Sequence, residues 1–328
     1  MSELLLIIFI VAIAWIYDFY NGANDAANAI ATTVSTRTLS PTKALLLSAS
    51  LNTAGAFVTT RVAKTIGKGI VDPQLLTGDI LISALLGAIV WVALSTKTGM
   101  PVSVTHAIVG GIIGAVFLPY GLGAIKTEGI TKIIKGIIFS PILGFIVAGI
   151  LLVMIHRIRW KSHPGKIQRN FGKAQIISAS WMSLAHGMND TQNAMGIITA
   201  ALFAGGFISK FEVPMWVIIG SGLFMGIGTY AGGKHVIKTV GMKLSKLKPV
   251  HGFVSETAAG GVIAGASYLG IPISTTHAIT SSIMGASTAQ RVKSVRWNIA
   301  KDIAMAWILT IPGSAIAALI IYTLINLI

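Results

Sequence analysis

Residues 21–29 of the chain read NGANDAANA, and a related stretch, HGMNDTQNA, stands at residues 186–194. A second pair follows in the same order, with PVSVTHAI at residues 101–108 and PISTTHAI at residues 272–279. The members of the first pair are 165 residues apart and those of the second pair are 171 residues apart. Matches that recur in one order at nearly one spacing predict that the chain contains a duplicated unit.

The remainder of the sequence is strongly apolar. Hydrophobic residues make up 54% of the 328 residues, charged residues make up only 11%, and the mean hydropathy is +0.79. A soluble protein carries roughly a quarter charged residues, so this composition excludes a globule surrounded by water. The 36 glycines indicate closely packed and interrupted helices, which membrane proteins tolerate. The sequence has no cysteine, which excludes disulfides, thiolate metal sites and thiol catalysis.

Basic residues are concentrated in short segments between the apolar runs and give the chain a formal charge of +15. In this setting they indicate lipid headgroups and membrane topology, and no nucleic-acid partner is expected. Three basic segments, at residues 157–173, 234–248 and 291–301, contain no acidic residue. The positive-inside rule places all three in the cytoplasm. If each repeat crosses the membrane an odd number of times, the second repeat is inverted and both termini lie outside.

We therefore predict an all-α, polytopic membrane protein of two inverted-topology repeats, with about 10–12 transmembrane segments and broken or re-entrant helices at the midplane. The first repeat is expected at residues 1–156, a basic cytoplasmic loop at 157–173 and the second repeat at 174–328. The protein is expected in the cell (inner) membrane as a multi-pass protein. We also expect the backbone to unwind at Gly22 and Gly187, because glycine tolerates unusual backbone conformations.

Asp25 and Asp190 lie inside apolar stretches, and neither polar stretch contains Lys or Arg. A carboxylate near the centre of a bilayer costs about 2.5–3.5 kcal/mol on insertion scales. Capping of a broken helix would explain these residues, but an uncharged Ser or Asn would cap at a lower cost. A mobile cation that neutralises the carboxylates is the better explanation.

The predicted cation site is built from oxygen atoms, which hard cations prefer as ligands. Sodium, carried together with the substrate, is the simplest candidate, and a proton is the alternative. Glu256 stands near the start of a later apolar run, where it is either a further ligand or an interfacial acid in the first turn of a helix. The predicted sodium ligands are Asn21, Asn24, Asp25, Asn28, Asn189, Asp190, Asn193 and Glu256.

The second duplicated stretch has the character of an anion site. Pro101 and Pro272 each precede an apolar run, which is typical of a helix N-terminus. Backbone N–H groups at a helix start attract anions, and Ser and Thr hydroxyls donate without adding permanent charge. The alternative is ordinary N-capping beside a histidine in the core. The predicted oxyanion ligands are Ser103, Val104, Thr105, His106, Ser274, Thr275, Thr276, His277, Asp25 and Asp190.

Cation ligands beside anion donors favour cation-coupled uptake of a small oxyanion, because each bound ion strengthens the binding of the other. Two alternatives are enzymes: an intramembrane aspartic protease that uses Asp25 and Asp190, and a serine hydrolase that uses Ser103 and His106. A third alternative is a passive anion channel, although a channel would not need buried aspartates.

The stretch GANDAANA at residues 22–29, with HGMND at residues 186–190, resembles the signature of the inorganic phosphate transporter (PiT) family. The Pro-x-Ser-x-Thr-His stretches at residues 101–106 and 272–277 are similar to the second paired motif of that family. The resemblance covers essentially the whole chain. It implies a permease, homodimeric and not an enzyme, that moves inorganic phosphate with sodium or protons and needs no organic cofactor.

The resemblance assigns the family's function to the Ser and Thr positions of the second motif and to Asn24, Asp25, Asn28, Asn189, Asp190 and Asn193. The family also contains sulfate permeases, so sulfate remains an alternative substrate. Phosphate is favoured because it carries a proton that a carboxylate or an imidazole could accept, whereas sulfate presents only acceptors.

Overall fold

The computed structural model describes residues 2–159, 163–232, 237 and 239–327. This described part is almost entirely helical and contains no strand beyond two isolated bridges, so the all-α prediction is confirmed. Its twelve α-helices are α1 (Glu3–Ser35), α2 (Pro41–Gly55), α3 (Arg61–Lys64), α4 (Gly78–Thr98), α5 (Val104–Tyr120), α6 (Thr127–Ile158), α7 (Pro164–Asp190), α8 (Gln192–Ala204), α9 (Met215–Ala231), α10 (Pro249–Tyr268), α11 (Thr275–Gln290) and α12 (Trp297–Leu327).

The elements of the two halves follow one another in the same order. The helix α1 corresponds to α7 and α8, and α2, α4, α5 and α6 correspond to α9, α10, α11 and α12. A π-helical turn stands at an equivalent place in each half, at Thr65–Gly69 and Thr239–Lys243. The two isolated bridges, Val71 with Ile125 and Ser245 with Val295, are equivalent as well. This order agrees with a duplicated unit, whereas the inverted orientation and the boundaries of the repeats stay predictions.

The halves are interlocked. The last helix of each half packs against helices of the other half, because α6 contacts α10 and α11 while α12 contacts α4 and α5. The long first helices are shared in the same way, since α1 contacts α9 and α7 contacts α2. Polar residues on α1, α7, α5 and α11 therefore meet where the two halves join.

Equivalent caps set the start of α5 and α11. The preceding helices stop near Gly99 and Gly270, whose φ angles of 73° and 67° lie in the left-handed region that favours glycine. The chain then turns into Ser103 and Ser274, whose side chains accept the first free N–H groups of α5 and α11. The two helix starts are thereby fixed at corresponding points of the fold.

The first polar stretch does not break its helix, so the expected unwinding at Gly22 is wrong. Helix α1 runs without interruption through this stretch, and a Cβ atom on Gly22 would lie 2.2 Å from the carbonyl oxygen of Met225 on α9. A Cβ atom on Gly187 would likewise lie 2.2 Å from the carbonyl oxygen of Asn52 on α2. Both glycines therefore allow close contact between helix backbones instead of unwinding.

The second half has a small interruption at this place. Helix α7 ends at Asp190 and α8 begins at Gln192, and Thr191 between them keeps helical backbone angles of φ −62° and ψ −23°. Its hydroxyl donates to the carbonyl of Gly187 at 2.6 Å. A local hydrogen bond from a side chain to the backbone is enough to disturb the helix here.

Four of the described helices are long and apolar enough, by length and composition, to cross a membrane, and these are α1, α4, α6 and α12. Helices α7 and α10 are long enough but carry polar side chains that face the interior. The remaining helices have 17 residues or fewer. The number of crossings therefore stays a prediction.

The predicted basic loop at residues 157–173 is wrong for much of its length. Helix α6 continues to Ile158, and α7 begins at Pro164 after the cap residue His163, whose Nδ1 accepts the N–H of Gly165 at 3.2 Å. Proline in the first turn favours a helix start. Residues 160–162 of this segment, and residues 234–236 and 238 of the second basic segment, lie outside the described residues.

Candidate functional site

The two halves bring together the carboxylates of Asp25 on α1 and Asp190 on α7. Each of these residues is only 1% exposed. The imidazole of His186 lies with them, because its Nε2 is 3.4 Å from Asp190 Oδ2 and 3.8 Å from Asp25 Oδ2. Donor atoms of the three side chains lie within 4.8 Å of one another. We call these three residues the central cluster, and its donor atoms are suited to a cation.

The orientation of His186 adds to this cation character. Its Nδ1 is 3.1 Å from Oδ1 of Asn52, an amide whose nitrogen donates to the hydroxyl of Thr229 at 2.9 Å. Because an amide oxygen can only accept, Nδ1 carries the hydrogen of a neutral ring. The lone pair of Nε2 then faces the two carboxylates. Three electron-rich groups thus face one point, and among the described residues none of them is paired with Lys or Arg.

Four asparagine amides around the central cluster form two equivalent pairs of hydrogen bonds. Asn28 donates to the hydroxyl of Thr276 at 2.8 Å, and its counterpart Asn193 donates to Thr105 at 3.0 Å. These bonds cross between the halves. The other pair stays within each half, and it joins Asn24 to Thr96 at 2.7 Å and Asn189 to Ser267 at 2.9 Å.

These bonds use the amide nitrogens and leave most of the amide oxygens free. Buried oxygens with no hydrogen bond in the described part of the chain belong to Asn21, Asn24, Asn28, Asn193 and Asp190. A buried acceptor left unpaired costs about 1–3 kcal/mol. Several such oxygens beside two carboxylates are ligands that a hard cation would satisfy. Asn189 differs, because its oxygen accepts a long bond of 3.5 Å from the N–H of Ile273.

Hydroxyls at the start of α11 reach the central cluster. The Thr275 hydroxyl lies 3.1 Å from Asp190 Oδ2 and 3.4 Å from Asp25 Oδ2. The Thr276 hydroxyl lies 3.4 Å from Asp25 Oδ1 and 3.0 Å from the carbonyl oxygen of Val102. The two duplicated stretches of the sequence therefore meet in space, with the second stretch beside the carboxylates of the first.

The serines of the second stretch act as caps. Ser103 accepts the N–H of His106 at 3.2 Å, and Ser274 accepts the N–H of His277 at 3.1 Å. Their own hydroxyl hydrogens stay available for a ligand. Val104 is buried, and its carbonyl accepts the hydroxyl of Tyr17 at 3.0 Å.

The structure brings His106 and His277 to each other. Their rings meet edge to face with centroids 4.8 Å apart, and the His277 ring stacks on Trp307 at 3.9 Å. Both Nε2 atoms are buried and lack a hydrogen bond within the described ranges. No ion pair among the described residues joins either ring to Asp25 or Asp190.

Glu256 lies in a separate polar cluster. It is fully buried in the second turn of α10, which excludes an exposed acid in the first turn. Its Oε1 accepts from Thr32 at 2.5 Å, Thr33 at 2.8 Å and Gln175 at 3.0 Å, and its Oε2 accepts from Ser178 at 2.5 Å. We call these five residues the Glu256 cluster. Thr32 follows Asp25 by seven residues, which places the cluster about 10 Å along α1 from the centre.

Sequence reasoning missed several of these residues. His186 occupies the position in the second stretch that Asn21 holds in the first, so the duplication contained the signal for it. Thr96 and Ser267, equivalent partners of the asparagines, stand just before the second motif and were recognisable only by their 171-residue spacing. No pattern pointed to Thr32, Thr33, Gln175 and Ser178, which come together only through packing.

Comparison with known proteins agrees with the site. The model of the family described as "Phosphate transporter family" matches residues 21–318. A Bacillus subtilis (strain 168) protein named "Probable low-affinity inorganic phosphate transporter" is 42% identical over 328 residues, with 99% of this chain and 98% of the relative covered. A protein of the same name from Rhizobium meliloti (strain 1021) is 40% identical over 319 residues and covers 97% of this chain and 96% of its own length.

A solved structure described as "The sodium-dependent phosphate transporter" has the same fold, with a TM-score of 0.90 and 26% sequence identity. The match covers 98% of this chain and 99% of that one. These relatives are transporters, so the protease and hydrolase alternatives are set aside and the chain is not an enzyme. Similarity along the whole length, in a chain with apolar membrane-type helices, identifies it as an integral membrane protein that belongs to the phosphate transporter family.

Proposed function

We propose that this protein is a secondary active transporter that couples the inward movement of sodium to the uptake of inorganic phosphate. Both ions would bind where the two halves meet and would be moved by alternating access, as in other transporters built from repeats. The observation that carries the proposal is the convergence of Asp25, Asp190 and the free amide oxygens, contributed by both halves, at one buried place.

Charge supports the choice of a cation as the coupling partner. The central cluster presents two carboxylates and an imidazole lone pair to one point, and the described structure gives neither carboxylate a basic partner. A monovalent cation with oxygen ligands would neutralise this charge and could still leave. The proposed sodium ligands at the centre are Asn21, Asn24, Asp25, Asn28, Asn189, Asp190 and Asn193. Glu256 stays a proposed ligand, but of a separate second cation site.

The proposed phosphate site lies between the N-termini of α5 and α11. Backbone N–H groups and hydroxyl hydrogens there can donate to a tetrahedral anion. The proposed ligands are Ser103, Val104, Thr105, His106, Ser274, Thr275, Thr276 and His277, with Asp25 and Asp190 acting through the bound cations. The histidine rings pair with each other, so they would line this site from the side of Trp307.

Coupling follows from the short distance between Thr275 and the carboxylates. Ionised Asp25 and Asp190 would repel phosphate from the hydroxyls beside them. Bound sodium would replace this repulsion by attraction, so each ion would raise the affinity for the other, as linkage requires. Sodium would therefore bind first.

The test is phosphate uptake by purified protein in vesicles, with sodium and pH gradients imposed separately. We expect concentrative uptake under an inward sodium gradient at equal pH on both sides. Uptake driven only by a proton gradient would favour proton-coupled phosphate symport. Concentrative uptake that ignores both gradients would remove the symport hypothesis.

The substrate is tested in the same vesicles by adding unlabelled sulfate to labelled phosphate. We expect sulfate to compete poorly, because it lacks the proton that a carboxylate or imidazole could accept. Sulfate transport that phosphate does not affect would favour a sulfate permease instead.

The proposed setting is the cell (inner) membrane, with the basic segment at 157–173 in the cytoplasm and both termini outside. Exposed apolar side chains along α12, such as Ile308, Ile316 and Leu324, would face lipid or a second copy of the chain in a homodimer. Accessibility labelling of single cysteines, introduced into this cysteine-free chain, tests the topology from either side of the membrane.

A further inference from the structure

A third buried carboxylate, Asp18, lies on α1 outside both clusters. It is fully buried, and neither of its oxygens makes a hydrogen bond in the described part of the protein. The Ser221 hydroxyl on α9 lies beside it but is also without a hydrogen bond there. An ionised carboxylate left in this state within a membrane costs about as much as one in lipid, whereas a neutral carboxylic acid does not.

The fold does not require a carboxylate at this place. The equivalent residue of the second half, 165 positions later, is Ser183, which is buried and donates to the carbonyl of Ala179 at 2.8 Å. A neutral side chain is therefore compatible with the same helix in the same surroundings. Asp18 requires another explanation.

The surroundings of Asp18 are poor in ligands for a metal ion. Hard cations need several oxygen ligands, and beside Asp18 the structure places the one hydroxyl of Ser221. The neighbouring α9 residues Val217 and Ile218 are buried and apolar. This contrasts with the central cluster, where several free amide oxygens surround the carboxylates. A proton needs only one oxygen and, once bound, can be donated to the Ser221 hydroxyl.

The charged groups near Asp18 are acidic. On its own helix it is next to Tyr17 and seven residues from Asp25, and from α7 the charge of Asp190 acts on it. Helices α8 and α9, which also pack against α1, carry no Lys, Arg, His, Asp or Glu. Helix α4 has Asp79 and Lys97 near its two ends. No basic side chain of the described residues forms an ion pair with Asp18.

We propose that Asp18 is a proton-binding site that is linked by charge to the cation site at Asp25 and Asp190. When Asp18 holds a proton, one negative charge near the cation site is removed and sodium binds more weakly there. By linkage, bound sodium favours release of the proton. Seven residues along a helix correspond to about 10 Å, and at this distance one charge changes sodium affinity on the order of tenfold. This inference rests on the proposed function, because it assumes that sodium binds at the centre.

The first measurement is sodium binding by the purified protein in lipid nanodiscs, titrated from acidic to alkaline pH. The variant Asp18→Asn mimics the protonated form. We expect its sodium affinity to equal that of the wild type at acidic pH and to be weaker, on the order of tenfold, at alkaline pH. The matched control Ser183→Ala should follow the wild-type curve throughout. Curves for Asp18→Asn and wild type that coincide or run parallel at every pH would overturn the linkage.

The second measurement is the infrared carbonyl band of protonated carboxylic acids, recorded without sodium or phosphate. The wild type minus Asp18→Asn difference spectrum should contain this band, and the band should vanish at alkaline pH. Its absence at every pH would overturn the proton site even if the variant does not bind sodium. If the wild type shows the band but binds no sodium, the proposed function fails while the proton site stands.

Discussion

Two places in the protein are equivalent by the duplication but opposite in chemistry. One is the Glu256 cluster, where a buried carboxylate accepts from three hydroxyls and an amide. The other is found by moving each of these residues by the spacing of its helix, and it consists of Leu85, Ile10, Ile13, Ile197 and Ile198. All five are at most 5% exposed and belong to the main hydrophobic core.

This difference teaches that the fold does not need the polar cluster. The same helices, packed in an equivalent arrangement, are filled by Leu and Ile in one half and by Glu, Gln, Ser and Thr in the other. Apolar filling stabilises by about 1.5–3 kcal/mol for each large side chain, whereas a buried carboxylate with hydrogen-bonding partners is at best neutral for stability. Polar groups retained in one half only therefore point to function, and the central cluster, fed by both halves, is the common feature.

The largest effect is expected where the halves are alike. Asp25→Asn and Asp190→Asn should fold, because each removes a buried charge, but sodium affinity should fall more than a hundredfold, since loss of one partner of a buried charge pair costs about 3–5 kcal/mol. Sodium-driven phosphate uptake into vesicles measures this loss. The exposed acid Asp72 offers the control Asp72→Asn, which should transport normally. Full uptake by either centre variant would show that the central cluster is misassigned.

The next effect tests the apolar counterpart directly. Leu85→Glu places a carboxylate where no hydroxyl or amide can donate to it, and should lower the free energy of unfolding by about 2.5–3.5 kcal/mol or more. Leu85→Met, which conserves volume, should cost less than about 1.5 kcal/mol. Thermal unfolding in detergent compares the two variants. Equal stability would mean that the counterpart is wetter or more polar than the structure shows.

A smaller effect should separate the two equivalent threonines of the second motif. Thr276 contacts Asp25 and the carbonyl of Val102, whereas Thr105 is bonded to Asn193. Hydrogen bonds to charged groups are worth about 1.5–3 kcal/mol and neutral ones about 1 kcal/mol. We therefore expect Thr276→Ala to weaken phosphate affinity more than Thr105→Ala does. Phosphate binding at saturating sodium measures both, with Thr310→Ala on α12 as control.

The smallest effect is expected in the Glu256 cluster. Glu256→Gln keeps an oxygen that accepts from Thr32 and Thr33 and removes the charge, so the protein should fold. The apparent sodium affinity of phosphate uptake should fall on the order of tenfold, as for one charge removed at about 10 Å. Glu128→Gln, which changes an exposed acid paired with Lys132, is the control. Unchanged sodium dependence would remove Glu256 from the proposed cation ligands.

Much of the fold and of the central cluster was predictable because the motif residues carry their own signal. An aspartate within an apolar helix is costly wherever it stands, and its repetition at Asp190 is too specific to arise from helix packing alone. The family and the all-α class were confirmed on this basis. The unwinding at Gly22 was wrong, because a glycine can equally serve close contact with a neighbouring helix, and only the position of α9 distinguishes the two uses.

By itself, the sequence determined the duplication, the membrane class, the family and the pair of aspartates, since these depend on residue types and their spacing along the chain. The tertiary structure decided that His186 joins the aspartates, that Glu256 belongs to a separate cluster and that Asp18 has no hydrogen-bonding partner within the described residues. These facts depend on which faces of α1, α7, α9 and α10 meet. Contacts between helices far apart in sequence are set by packing, which a linear pattern does not encode.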